Sequence, residues 1–313
     1  MPALALMIAL ALQTAPPVDL DAEVAAIRAG EVDVLDYDWG RLRFHPDRQA
    51  AWAAMADISR FALENSELPS GIRESREPFS TCLAGDRAAA IMFGIRGAKL
   101  SPDVEAYDRA LAAARAVRAD VEAELDEALA EIETEESDPL IAELRALHAR
   151  DQAWRHALGR FTDVADDQSL DGLGGYGLNV LMGQTAPPGC RVDLDSTAFL
   201  KRVTGEIGWF TISDYGEEAD EMAWLLAQHT PESAFMAEIL DRLTVLARSG
   251  ETNPRHYAYL HDRVAIRDGR PQRYGTQFSC IGGRLVPREI EDRDEVDARR
   301  AELGMEPLQT RRC

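Results

Sequence analysis

The densest run of groups able to do chemistry is Arg270-Pro271-Gln272-Arg273-Tyr274-Gly275-Thr276-Gln277. Arg270 and Arg273 each offer a bidentate fork for a carboxylate or phosphate. Gln272, Tyr274, Thr276 and Gln277 add donors and acceptors around them. The same side chains could instead cap a helix end and satisfy buried backbone, because polar networks also fix which fold is adopted. Upstream, Gln228-His229 closes an apolar helical pattern, a place where the helix C-terminus favours a protonated imidazole. General acid/base work by His229 needs a carboxylate on its other ring nitrogen. Asp262, beside Arg263 on a later helix, is the candidate. His148, Gln152 and His156 share a helix face at four-residue steps, but no acid is fixed beside them and no metal is expected. No serine sits in a nucleophile elbow, and no cysteine is flanked as a catalytic thiol.

The elements that must position these groups are mostly helices. Gly269 reads as the residue just past a helix end, and Pro271 forbids continuation. Beyond the octet, two short apolar runs flank Gly282-Gly283, the pattern of a β-hairpin with a two-residue turn. The octet therefore lies where a helix hands over to a hairpin. Before it, Ser213, Pro231 and Pro254 open three closely spaced helices, the last two ending at Gly250 and Gly269. Further upstream, helices are expected over Asp21–Gly30, from Pro46 to about Glu64, and over Asp86–Gly94. The third of these follows a loop over residues 66–85. A long helix from Ser101-Pro102-Asp103 to about Glu133 carries an apolar seam of Tyr107, Leu111, Ala114 and Val121. Asp138-Pro139 starts its antiparallel partner. Asp294–Leu303 is a last short helix. Residues 162–195, rich in Gly, Pro and Asp, read as an insertion or loop. Gly172-Leu173-Gly174-Gly175-Tyr176-Gly177 matches a dinucleotide fingerprint in letters only, since no buried strand precedes it.

The fold class is mainly α, a helical bundle with a small C-terminal β-hairpin. The expected division is a signal segment over 1–15, an N-terminal helical region over 16–135 and a helical domain with the hairpin over 136–313. A net charge of −21 opposes nucleic-acid binding. The apolar run Ala3–Ala15 is too short to span a bilayer and suits an export signal. The expected location is periplasmic or secreted, or cytoplasmic if that run is not a signal. Of four cysteines, Cys280 with Cys313 and Cys82 with Cys190 is one of three possible pairings, buried free thiols being the alternative. No cofactor is expected.

A resemblance emerges from the C-terminal half. Gly208-Trp209, Gly216, Ala223-Trp224-Leu225, Gln228-His229 and Tyr259-Leu260-x-Asp262-Arg263 precede the octet. Pro287, Ile290-Glu291-Asp292 and Arg299-Arg300-x-x-Leu303-Gly304 follow it. In order and spacing these resemble the bacterial domain-of-unknown-function family 6624 over roughly residues 140–310, with Asp151-Gln152-x-x-Arg155 similar to that family's upstream helix. Phe210 and Thr230-Pro231 depart from its pattern. The resemblance implies a fold neighbourhood and no activity.

Two functions fit this reading. One is a non-catalytic exported module with a polar cleft around 270–277 for a small anionic ligand or a protein partner. The other is a hydrolase or transferase using His229 and Asp262, with Arg270 and Arg273 holding an anionic substrate.

Overall fold

The computed structural model describes residues 18–64, 85–165, 174–282, 284–309 and 311–312. The apolar run 3–15, the segment 66–84, the aspartates of 166–171, Cys82 and Cys313 lie outside the described residues, as does the side chain of Cys280.

Local signals decide most helix ends. Helix α1 (Leu20–Ala29) starts where the Asp19 carboxylate accepts the N–H groups of Asp21 and Ala22, and it stops at Gly30 with φ 78°. After one turn, α2 (Gly40–Arg43), helix α3 (Arg48–Glu64) buries Met55 and Ile58 with Ala51, Ala54 and Ala62. Trp52 is 42% exposed, with the Lys99 ammonium 4.9 Å from its ring centroid. Helix α4 (Gly85–Leu100) runs two turns beyond its expected end. Helix α5 (Val104–Glu135) is capped by Asp103, whose carboxylate accepts the Ala106 N–H at 2.8 Å, rather than by Ser101. It buries Tyr107, Leu111, Ala114 and Val121 as the seam requires. Asp138 caps α6 (Pro139–Ala165) through the Leu140 N–H at 2.8 Å.

Residues 174–195, read as part of an insertion or loop, are helical. From Gly174 the chain forms α7 (Gly174–Glu206), which carries Pro187 and Pro188 within it and packs against α4, α5 and α6. Its glycines, read as loop formers, are contact residues. A Cβ on Gly183 would lie 3.2 Å from the Gly94 nitrogen, and one on Gly97 would lie 2.7 Å from Val180 Cγ2 and 2.9 Å from the Val180 nitrogen. Backbone therefore meets backbone between α4 and α7, and tertiary packing overrides helix propensity. Gly97→Ala is expected to cost about 1–3 kcal/mol, seen as a lower urea midpoint at unchanged slope.

Two apolar clusters result. One gathers Ile27, Leu42, Met55, Ile58, Ile91, Tyr107 and Val121 with Ala157 of α6 and Val180 and Leu181 of α7. The other gathers Leu144 and Leu147 of α6 and Phe199, Leu200 and Val203 of α7 with the helices that follow. Helices α6 and α7 thus belong to both cores, and the boundary at 135/136 separates two helices that pack together.

Helix α8 (Ile212–Ala227) bends at Gly216, φ 85°, a backbone shape glycine adopts at little cost. Its cap residue is Thr211, not Ser213. Helices α9 (Ser233–Ser249) and α10 (Pro254–Arg267) follow; Gly250 closes the first with φ 77°, and Asn253 with Pro254 opens the second. Strands β1 (Phe278–Ile281) and β2 (Arg284–Pro287) form the expected hairpin, in the register Ile281 opposite Arg284. A third strand, β3 (Arg311–Arg312), adds to β2, which the sequence did not disclose. Helix α11 (Val296–Glu302) precedes it. The molecule is mainly α with one small sheet, and no helix among the described residues is long and apolar enough to cross a membrane.

Candidate functional site

The octet folds around one carboxylate. At the end of α10, Gly269 takes φ 72° and the Arg270 N–H bonds back to the Ala265 carbonyl at 2.8 Å. The chain then reverses over Asp262, which is fully buried. That carboxylate accepts the N–H groups of Arg273 (2.7 Å), Tyr274 (3.0 Å) and Thr276 (2.9 Å) and the Thr276 hydroxyl (3.0 Å). Gln272, also fully buried, donates to the Gln277 and Arg288 carbonyls at 2.9 and 3.0 Å and accepts the Gln277 N–H at 2.8 Å. The Gln277 amide donates to the Thr276 hydroxyl at 3.1 Å. Arg273 pairs with Glu291, and Arg270 pairs with Asp268 at 2.9 Å. Arg299 and Arg300 donate to the carbonyls of Arg273 and Tyr274. The junction is a brace built from the candidate ligand residues themselves.

His229 takes a different carboxylate from the one expected. Asp262 is engaged by the octet, and the imidazole Nδ1 lies 2.9 and 3.1 Å from the two oxygens of Asp151, on α6. Arg155, one turn along α6, donates from Nε to the same Asp151 oxygen at 2.8 Å and from Nη2 to Asp193 of α7. Gln152 donates to the other Asp151 oxygen at 2.7 Å. The Thr197 hydroxyl bonds the Asp193 carbonyl at 2.6 Å and lies 2.9 Å from the hydroxyl of Thr230, next to His229. From α10, Arg263 donates to the Gln228 side chain at 3.3 Å and Arg267 to the Thr230 carbonyl at 2.8 Å. Gln228, His229 and Arg263 therefore come together as expected. Asp262, adjacent to Arg263, serves the octet instead.

Burial pushes the His229 imidazole down to about 4, helped by the charges of Arg155 and Arg263 and partly offset by the bond to Asp151. Burial alone would raise Asp151, but its bonds and charge contacts with His229 and Arg155 hold it below the usual carboxylate range. At neutral pH the pair is a carboxylate and a neutral ring. With Nδ1–H donated to Asp151, the basic lone pair is on Nε2. That atom makes no hydrogen bond to a described residue, and the side chain is 15% exposed.

A second His–Asp pair shows what a sealed one looks like. Asp220 accepts from Trp209 Nε1 (2.8 Å), the Thr252 hydroxyl (2.7 Å) and the Asn253 N–H (3.1 Å), and lies 2.9 Å from His256 Nδ1. His256 is buried and stacks on Trp224 with centroids 4.2 Å apart. This node ties α8 to α10 and explains the tryptophans of the family pattern.

Sequence reasoning missed Asp151 and Arg155 as site residues and Asp193 altogether. The i, i+4 spacing of Asp151 and Arg155 on a helix was the available signal; Asp193 lay in the stretch misread as loop. Asp151, Asp193 and His229 also offer ligand atoms within 4.8 Å of one another. The Arg155 guanidinium already bridges the two carboxylates and supplies the positive charge there. Cys190 is a buried free thiol of α7, and Cys82 lies outside the described residues.

A helical protein with a largely buried His–Asp–Arg cluster at the meeting of α6, α7 and the α8–α9 turn is the class that fold and site define. The model of a family of unknown function, DUF6624, matches residues 140–312, and the chain belongs to that family. The matched stretch contains every member of the cluster and the whole octet brace. No curated protein and no solved structure matches the chain.

Proposed function

We propose that the family region is an acid/base enzyme, a hydrolase or transferase acting on an anionic substrate, with His229 as general base and Asp151 as its orienting carboxylate. The observation that carries this is the pairing itself: Nδ1 is held by a buried carboxylate while Nε2 has no hydrogen-bond partner among the described residues. A neutral imidazole at pH 7 is the form a general base requires. Arg155, Arg263 and Arg267 bring three guanidiniums to the neighbourhood of the ring, each bonded within the protein, so the anionic substrate in this reading rests on the positive charge they bring and not on free forks. The nucleophile on this reading is a water or a substrate hydroxyl deprotonated by Nε2. The binding-module reading centred on 270–277 has less behind it, because the octet's polar groups are engaged within the protein. Export remains a proposal from residues 3–15, checked by N-terminal sequencing of protein recovered from its native host.

The test is a turnover screen with phosphomonoesters and carboxylate-bearing esters and amides, on wild type and His229→Gln. Turnover by the wild type that falls about 10²–10⁴-fold in the variant is expected. Activity unaffected by the substitution, or no turnover of any substrate offered, would contradict the reading.

A further inference from the structure

Asp193 touches neither the imidazole nor its carboxylate partner among the contacts described, yet the groups form one chain. His229 bonds Asp151, Asp151 bonds Arg155, and Arg155 bonds Asp193. The Asp151–Arg155 link alone is an i, i+4 helix pair, and with Arg155 38% exposed such a pair is too weak to hold a long side chain out of solvent. The second bond, from a different helix, changes that. Two nitrogens of the planar guanidinium are then fixed on two carboxylates, and the plane can no longer rotate. The Asp193 side chain is itself 12% exposed and stands on α7.

Resting on the reading of His229 as the base, we propose that Asp193 is a positioning residue: it pins Arg155 against Asp151, and so fixes the orientation of the His229 ring and the electrostatics around it. The charged and titratable groups facing the ring are Asp151 and Arg155 from α6, with His148 one turn earlier, Asp193 from α7, and Arg263 and Arg267 from α10. Among the described contacts Arg155 bonds both carboxylates, and this is the route by which Asp193 acts on the ring in the proposal.

The experiment is a double-mutant cycle read by NMR titration of the His229 ring in the full chain. Arg155→Met is expected to raise the midpoint by about one unit, because a nearby positive charge is lost. Asp193→Asn is expected to raise it by a similar amount, because Arg155 is released to solvent, and to add nothing in the Arg155→Met background. Asp193→Glu should restore much of the wild-type value. Gly97→Ala, which loosens α7 at its other packing face, should lower stability and leave the midpoint unmoved. A fall in the midpoint with Asp193→Asn would mean that the carboxylate acts on the ring directly. Equal shifts in both backgrounds, no shift, or an equal shift with Gly97→Ala would also overturn the proposal. The titration needs no substrate, so its outcome is separate from whether His229 turns anything over.

Discussion

Asp262→Ala is expected to cost about 4 kcal/mol or more, a large part of the stability of an ordinary domain. The substitution does not merely remove contacts. It leaves three backbone N–H groups, of Arg273, Tyr274 and Thr276, and the Thr276 hydroxyl without their acceptor in a buried corner. Each buried donor left unsatisfied costs about 1–3 kcal/mol. The damage should be local first, because the Gln272 bonds to 277 and 288 and the Arg299 bonds to 273 and 291 depend on the same reversal of the chain. Hydrogen exchange should therefore show lost protection over 271–300 before α6 and α7 open. Asp262→Asn keeps one acceptor oxygen and turns the other into a donor, so it should fall between wild type and alanine. A loss below about 1 kcal/mol in urea unfolding would mean that the brace is not organised by this carboxylate.

Stability should also carry the signature of His229. Its ring titrates near 4 in the folded chain and near 6.5 when unfolded, so between those values the unfolded chain binds the extra proton. Stability then falls as pH drops from about 6.5 to about 4, by roughly 3 kcal/mol from this group. Asp151 and Asp220 are held below the usual range, so their contribution is present above the ordinary carboxylate pKa and is lost as pH falls through their folded values. That second loss lies at lower pH; in His229→Gln its Asp220 part should remain and its Asp151 part shrink, whereas the slope between 6.5 and 4 should flatten. Denaturant unfolding at a series of pH values separates the two windows. An unchanged slope in the variant would contradict the neutral, buried imidazole.

How much of this was readable from the residues follows from the range of each interaction. Caps are local, so Gly30, Gly250 and Gly269 and the Asn253-Pro254 start were legible, as was the turn at 282–283. The octet was legible as a junction, because its partners, Asp262 and Arg288, lie 11–16 residues from the groups they bond. The partner of His229 lies 78 residues away and that of Arg155 lies 38 away; spacing carries no information at such separations. Between Asp262 and Asp151, only packing decides which carboxylate is taken by backbone donors and which is left for the imidazole. Helix α7 was lost for another reason. Its glycines and prolines argue for a loop by propensity, and only the facing α4 backbone at Gly94 makes Gly183 a close-contact residue.

The central claim is that the His229 ring is neutral, donates Nδ1–H to Asp151 and leaves Nε2 as the basic atom. A ¹⁵N-resolved NMR titration of the histidine side chains, assigned with His229→Gln, reads both the tautomer and the midpoint. The expected result is an Nδ1–H tautomer at pH 7 with a midpoint near 4. An Nε2–H tautomer, or a midpoint at the ordinary value of about 6.5, would contradict it.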